Sequence, residues 1–346
     1  MPDGLPQIRH PWAEAPVPGE AVRVAEGVWW LRLPLPMRLD HVNAYALADD
    51  DGWTLVDTGF DTPASRAAWE AALAGPLAGR PVARVLVTHH HPDHVGLAGW
   101  FQARGAELVM PRLGWLFARM LVLDEQDRPR PEALAFWRAA GMPEAELARR
   151  GAERPFNFAD VVHPMPLGFT ALEEGACLRL AGREWDVRFG HGHAPDHATL
   201  WSREDGLVLG GDQLLPGISP NLGVYPTEPG ADPVGAWIDS CRLLAVHARE
   251  DQLVLPGHKT PFTGLPLRLQ QLIDNHHGAL ARLRAHLAQP RTAVECFPAL
   301  FKREIGAGEM TLALVEAVGH LNHLARTGQA VAEPRADGAR LWRAVG

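Results

Sequence analysis

The stretch "VLVTHHHPDHVGLAG", Val85 to Gly99, holds four histidines and one aspartate within six residues. The donors follow the pattern H-x-H-x-D-H at His89, His91, Asp93 and His94. Imidazole and carboxylate groups bind divalent metals and move protons near neutral pH. The apolar run Val85-Leu86-Val87 predicts a buried strand leading into the motif. Extended backbone places residues i and i+2 on one side, so His89 and His91 can reach one ion. Asp93 and His94 fall where the next helix begins and can address a second position. A lone histidine in such a loop is more often structural or solvent-exposed, but the full pattern behind a buried strand reads as a metal loop. His90, between the donors, is expected to face away.

Further donors stand in matching contexts. "EWDVRFGHGHAPDHATLW" places His193 in a loop between two strands. "GLVLGGDQLLP" sets Asp212 after an apolar strand and two glycines, and "DQLVLPGHKTPF" sets His258 after another such strand. Open α/β sheets build their sites at the C-terminal ends of strands. An all-nitrogen-and-oxygen donor set suits Zn²⁺ and also permits Fe or Mn.

The elements that must position these groups can be read from the chain. Short strands fill residues 21–57 in "EGVWWLRLPLP", "NAYALAD" and "GWTLVDTG". "TPASRAAWEAALAG" predicts a helix with Thr62 as N-cap, Pro63 in its first turn and Gly75 near its end. "VARVLVT" is a Val-rich strand, "HVGLAGWFQARG" the next helix to Gly105, and "AELVMP" a further strand. The alternation implies an α/β sheet. Residues 112–165 break the rhythm as a helical insertion, of the kind that forms a lid or substrate wall. Strands resume in "ACLRLAG", "EWDVRFG", "ATLWS", "GLVLGG" and, after a helix near 233–248, "DQLVLPG". The expected organisation is a Pro-rich arm over 1–20, a catalytic domain over 21–264 and a mainly helical domain over 265–346.

Composition narrows the classes. A net charge of −8 argues against a dedicated nucleic-acid binder. Only Lys259 and Lys302 are lysines and every other basic residue is Arg, which reads as base-composition bias. Cys177, Cys241 and Cys296 form no CxxC pair, which fits a reducing cytoplasm. No run of about 18 apolar residues exists, so no membrane span is expected.

The ordered set "THHHPDH", "GHAPDH", "GGD" and "PGH" resembles the metallo-β-lactamase-fold hydrolases across roughly residues 20–262. The resemblance implies an αββα sandwich of two mixed sheets with the site at one edge. It implies that His89, His91 and His193 bind one metal, that Asp93, His94 and His258 bind a second, and that Asp212 bridges them. Asp57 in "LVDTG" would support the loops, and His197 would lie beside the metals or the substrate. His191 is ambiguous. His10, His41, His163, His247, His276, His277, His286, His320 and His323 lack a motif and read as surface or satisfied structural histidines. Trp29-Trp30 and Trp100-Phe101 read as core.

Two divalent ions about 3.5–4 Å apart, bridged by a carboxylate, can hold a hydroxide between them at neutral pH. One ion can then polarise the scissile carbonyl or phosphoryl oxygen. Asp212 would offset the repulsion between cations, and Asp93 would orient the nucleophile or carry a proton. Zinc β-lactamases resembling this chain commonly carry Cys where Asp212 stands and lack the His94-type ligand, so β-lactam cleavage is not expected. The donor set resembles that of hydroxyacylglutathione hydrolases, lactonases and phosphodiesterases. The first expectation is a hydrolase of small-molecule esters, thioesters or lactones, with Tyr225 or Lys259 contacting substrate. The alternative is a ribonuclease or phosphodiesterase, because the tail around "AVGHLNHLARTGQAV" resembles a winged-helix module found in such relatives. Residues 265–346 carry ten bases against seven acids without a dense basic stripe. Packing against the catalytic domain or a second copy in a homodimer is therefore favoured over nucleic-acid binding.

Overall fold

The computed structural model describes residues 7–301 and 303–346; the first six residues of the Pro-rich arm, and Lys302, lie outside that range. The chain forms two compact units. The first comprises Met1–Glu125, Asn157–Pro220 and Leu244–Leu269; the second comprises Gln126–Phe156, Asn221–Leu243 and Gln270–Gly346.

The first unit holds two sheets. One has seven strands in chain order: β1 (Val22–Ala25), β2 (Val28–Pro34), β3 (His41–Asp49), β4 (Gly52–Val56), β5 (Val82–Leu86), β6 (Glu107–Pro111) and β7 (Thr170–Leu172). It is antiparallel through β4 and parallel from β4 to β7. The other has five: β8 (Cys177–Leu180), β9 (Arg183–Gly190), β10 (His197–Ser202), β11 (Leu207–Gly211) and β12 (Leu253–Pro256). These are antiparallel except for the parallel pair β11 and β12.

Strand periodicity divides the core. On β2 and β3, Val28, Trp30, Tyr45 and Leu47 join Trp185, Val187, Leu200 and Leu209 of the five-stranded sheet. The alternate residues Leu31, Leu33, Val42, Ala44 and Ala46 join Trp69 and Phe101 beneath the helices. The central strands are thus buried on both faces, as their continuous apolar text requires.

Helix α1 (Pro63–Ala74) has the expected ends: Thr62 Oγ1 accepts from Ser65 N at 3.1 Å, and Gly75 closes the last turn. The stretch after the histidine motif is not one helix. It divides into α2 (Pro92–Val95) and α3 (Ala98–Gln102). Gly96 lies against the Gly59 carbonyl, where a Cβ would sit 2.3 Å from the oxygen. The insertion also divides. Its α4 (Arg112–Leu123) belongs to the first unit, whereas α5 (Pro131–Ala139) and α6 (Glu144–Ala152) belong to the second. Gly141 at φ +87° and Pro143 separate α5 from α6.

The remaining helices are α7 (Pro233–Ala245), α8 (Leu265–His286), α9 (Phe297–Phe301) and α10 (Met310–Arg326). The tail then ends in an antiparallel hairpin, β13 (Ala330–Pro334) with β14 (Arg340–Ala344). Within the second unit, Arg150 Nη1 donates to Thr311 Oγ1 at 2.6 Å, Val224 N to Val315 O at 3.0 Å, and Val294 N to Ala140 O at 3.1 Å. Its three sequence segments are tied together by these bonds. Among the described residues, no helix is long and apolar enough to cross a membrane.

Candidate metal centre

The site is built on strand ends of the first unit. The chain leaves β5 at Leu86 and turns through Thr88 to α2, with His91 at its N-cap. Asp57, just past β4, holds this turn. It accepts from Thr88 N at 2.8 Å, from Thr88 Oγ1 at 2.9 Å and from His94 Nδ1 at 2.7 Å. Asp57 adopts φ +60°, a left-handed conformation that Asp tolerates better than most residues. Thr58 holds the other side: its Oγ1 donates to the His94 carbonyl at 2.8 Å and accepts from Leu97 N at 3.0 Å. The Trp69 indole in turn donates to the Thr58 carbonyl at 2.8 Å.

These bonds settle which nitrogens face the centre. His94 donates Nδ1–H to Asp57, leaving Nε2 as a lone pair. Thr88 Oγ1, which gives its proton to Asp57, accepts from His89 Nδ1 at 3.0 Å and so leaves His89 Nε2 free. His258 donates Nδ1–H to the His41 carbonyl at 2.8 Å, again freeing Nε2. Metal-binding histidines are oriented in this way, by a bond to the far ring nitrogen.

The freed atoms converge. His89 Nε2 lies 3.0 Å from His91 Nδ1, which lies 2.9 Å from His193 Nε2. Asp93 Oδ2 lies 3.3 Å from His258 Nε2 and 3.7 Å from His94 Nε2. Asp212 reaches both groups: its carboxylate is 3.4 Å from His193, 3.4 Å from His94 and 3.3 Å from His258. Three donor sets able to hold a cation result: His89 with His91 and His193; His89 with His94 and Asp212; Asp93 with His94 and His258.

The centre is largely buried and electrically strained. Among the described residues, His94 Nε2 and Asp212 Oδ1 are buried without a hydrogen-bond partner. Burial, and then the neighbouring imidazoles, hold His89 and His91 well below the ordinary histidine pKa. Burial also opposes a proton on His94 and His258, yet Asp212 and Asp93 outweigh it. His94 is raised well above its usual value and His258 to about 10. Asp212 is driven well below the carboxylate range against its own burial, chiefly by His258 and His94. Buried carboxylates of this kind need cations, and the donor set fits divalent ions with nitrogen and oxygen ligands.

Glycines admit this packing. A Cβ on Gly257 would stand 2.3 Å from Asp212 Oδ1 and 2.9 Å from His94 Cε1. Gly211 at φ +46° would bring one to 2.5 Å from His197 Cε1. His197 is buried, stacks on His89 with ring centroids 4.5 Å apart, and accepts from Asp212 N at 3.0 Å. It therefore supports both residues rather than joining the donor sets. His90 turns to the rings of Phe117 and Phe158. His191 is half exposed and accepts from Asp196 N at 3.3 Å.

A model of the Metallo-beta-lactamase superfamily matches residues 37–258. The chain belongs to that superfamily. A second family, described as the metallo-beta-lactamase-like C-terminal domain, matches residues 280–345. The chain is similar to a beta-lactamase domain protein of Burkholderia ambifaria, 35% identical over 98% of this chain and 97% of that one, with a TM-score of 0.88. It is also similar to a metallo-beta-lactamase family protein of Thermus thermophilus, TTHA1429, 30% identical over 93% of this chain and all of that one, with a TM-score of 0.78. A Bacillus subtilis relative described as "Probable metallo-hydrolase YqjP" is 28% identical over 86% of this chain and 92% of its own length. The superfamily's mixed α/β architecture is the fold seen here.

All seven donors expected from the sequence meet in one cluster, with Asp57 and His197 bonded to its members. Lys259 directly follows His258. Tyr225 stands in the second unit and is exposed. Thr88, Thr58 and His41 are parts of the site that the sequence reading misses. Thr88 has a readable signal in its place between strand and motif. His41 has none, because it acts through a carbonyl 217 residues from His258.

Proposed function

We propose that the chain is a binuclear metal-dependent hydrolase of small-molecule esters, thioesters or lactones, using Zn²⁺ in the cytoplasm. The observation that carries the reading is the position of Asp212, within 3.4 Å of nitrogens belonging to both histidine groups. His89, His91 and His193 would hold one ion and Asp93, His94 and His258 the other, with Asp212 shared. Bound there, the ions would supply an activated water at neutral pH and a Lewis acid for the oxygen of the scissile bond. The protein's share is orientation and proton handling. Asp57, Thr88 and the His41 carbonyl keep lone pairs directed inward. Asp93, the less buried of the two carboxylates, is placed to carry a proton between the centre and the leaving group.

The similarity to a named metallo-hydrolase supports hydrolysis without naming the bond. We assign residues 21–264 to the catalytic domain and 265–346 to a winged-helix-like domain. The matched ranges 37–258 and 280–345 support that division along the sequence, although Gln126–Phe156 and Asn221–Leu243 fold into the same compact unit as Gln270–Gly346.

Protein purified without chelator should contain close to two equivalents of transition metal by elemental analysis. It should cleave members of a panel of thioesters, lactones and aryl esters, and Asp212→Ala should abolish most turnover and lose at least one metal. Turnover by metal-free protein sinks the mechanism. Cleavage confined to phosphodiesters, with salt-dependent affinity for single-stranded RNA, would favour the nuclease alternative.

A further inference from the structure

We propose that Lys259 anchors an oxyanion of the substrate, a carboxylate or phosphoryl group carried apart from the bond that is broken. The chain has 33 basic residues, of which only Lys259 and Lys302 are lysine. One of these two compact, three-donor cations directly follows a histidine of the metal centre. Lys and Arg are not equivalent at such a place: ammonium is a point charge, guanidinium a planar fork.

The backbone of Lys259 is held with unusual care. It adopts φ +70°, a left-handed conformation in which a side chain is strained. Its N–H donates to His41 Nε2 at 3.0 Å, and its carbonyl accepts from Asn43 Nδ2 at 2.8 Å and from Arg32 Nη2 at 3.4 Å. Asn43 also donates to the Pro256 carbonyl at 2.8 Å, fixing the turn on both sides of His258. Three side chains from β2 and β3 therefore maintain a strained residue. Strain that the surroundings over-determine is a mark of function.

The ammonium itself makes no ion pair or hydrogen bond among the described residues, and neither does Arg32 pair with a carboxylate there. The nearby Asp40 carboxylate is engaged by His41 Nδ1 at 2.6 Å. The Lys259 backbone is pinned one residue from His258, and its flexible four-carbon stem can carry the unpaired ammonium to an anionic group of a substrate bound at the centre. A charge-assisted bond of this kind both orients a ligand and selects it.

The inference rests on the hydrolase reading for the bond cleaved, but its test is a binding measurement. The probes are butyrate, succinate and 3-phosphonopropionate, which share one carboxylate and differ at the far end. Calorimetric titration into metal-loaded protein should show succinate or the phosphonate binding about tenfold or more tightly than butyrate. The tighter of the two names the oxyanion. Lys259→Gly suits the left-handed backbone, so it removes the ammonium without added strain. In that variant the preference should collapse towards unity, and Lys259→Arg should restore part of it. The proposal is overturned if wild-type protein has no preference for either dianion, or if the preference survives Lys259→Gly. Failure to cleave any ester, with the preference intact, would refute the hydrolase reading and leave the anchor standing.

Discussion

Asp57→Asn isolates the orientation of one ligand from the packing around it. Asparagine tolerates the left-handed backbone at φ +60° as well as aspartate does, so the turn should survive. Its Oδ1 can still accept from Thr88 N, now at 2.8 Å. Its amide nitrogen then occupies the place of Asp57 Oδ2, 2.7 Å from His94 Nδ1, and must donate there. His94 is forced into the other tautomer, with its proton on Nε2. That proton faces Asp212 Oδ1 at 3.4 Å and Asp93 Oδ2 at 3.7 Å, where a metal needs a lone pair. Loss of such an orienting partner costs about 10–100-fold in metal affinity. In free energy that is about 1.4–2.7 kcal/mol. The assay is competition against a chromophoric chelator, with the circular dichroism spectrum as a control for folding. Wild-type metal affinity in a correctly folded Asp57→Asn protein would refute the reasoning.

Gly257→Ala should place a methyl against Asp212 and His94, weakening metal binding at least about tenfold while costing about 1–3 kcal/mol of stability; metal content after dialysis and a denaturant midpoint separate the two effects. In the second unit, His276 Nδ1 lies 3.4 Å from His320 Nε2, and both rings are buried. Burial, then His320, lowers His276 to about 3, and burial lowers His320 to about 4. Both folded values lie below the ordinary 6.5, so the unfolded chain takes up protons first as pH falls. Their stability contribution is complete above about pH 6.5 and declines towards about pH 4 and 3. At about pH 5 each histidine should cost about 2 kcal/mol relative to about pH 7.5. Denaturation of wild type and His276→Met at both pH values checks this: the variant should lose about 2 kcal/mol less, and parallel losses would contradict it.

The donor residues were legible because each sits in the loop or first helical turn that directly follows an apolar strand. A strand end converts chain position into spatial position with little freedom. Strand text was readable for the same reason: β2, β3 and β5 are buried on both faces and carry nearly continuous apolar runs. What escaped depends on partners distant in sequence. The break between α2 and α3 comes where Leu97 N donates to Thr58 Oγ1 and the Gly96 carbonyl accepts from His163 N, partners that helical periodicity does not record. The three-residue β7 is too short for a pattern. The split of the insertion is set by bonds such as Arg150 to Thr311, 161 residues apart. The three side chains holding Lys259 act on backbone atoms more than 200 residues away.

The donor geometry depends on how the two sheets of the first unit are joined. His89, His91, Asp93 and His94 leave the seven-stranded sheet; His193, Asp212 and His258 leave the five-stranded one. Their spacing is therefore a property of the joint. Backbone bonds cross it at the site: Ala198 N donates to Thr88 O at 2.9 Å, and Asn43 N to Gly257 O at 2.7 Å. The Tyr45 hydroxyl adds a bond to the Pro256 carbonyl at 2.8 Å. Farther in, Trp30 and Leu47 pack against Trp185 and Leu200. Close-packed interiors relax only partly around a lost side chain. A cavity between the sheets would thus shift the histidine loop as a body against Asp212 and His258. Each of the three donor sets draws on loops of both sheets, so all three would lose their spacing together, while Asp212 would keep its place beside His193 and His258 and lose its fit to His94. The bonds that cross the joint set how closely Asp212 can serve both histidine groups.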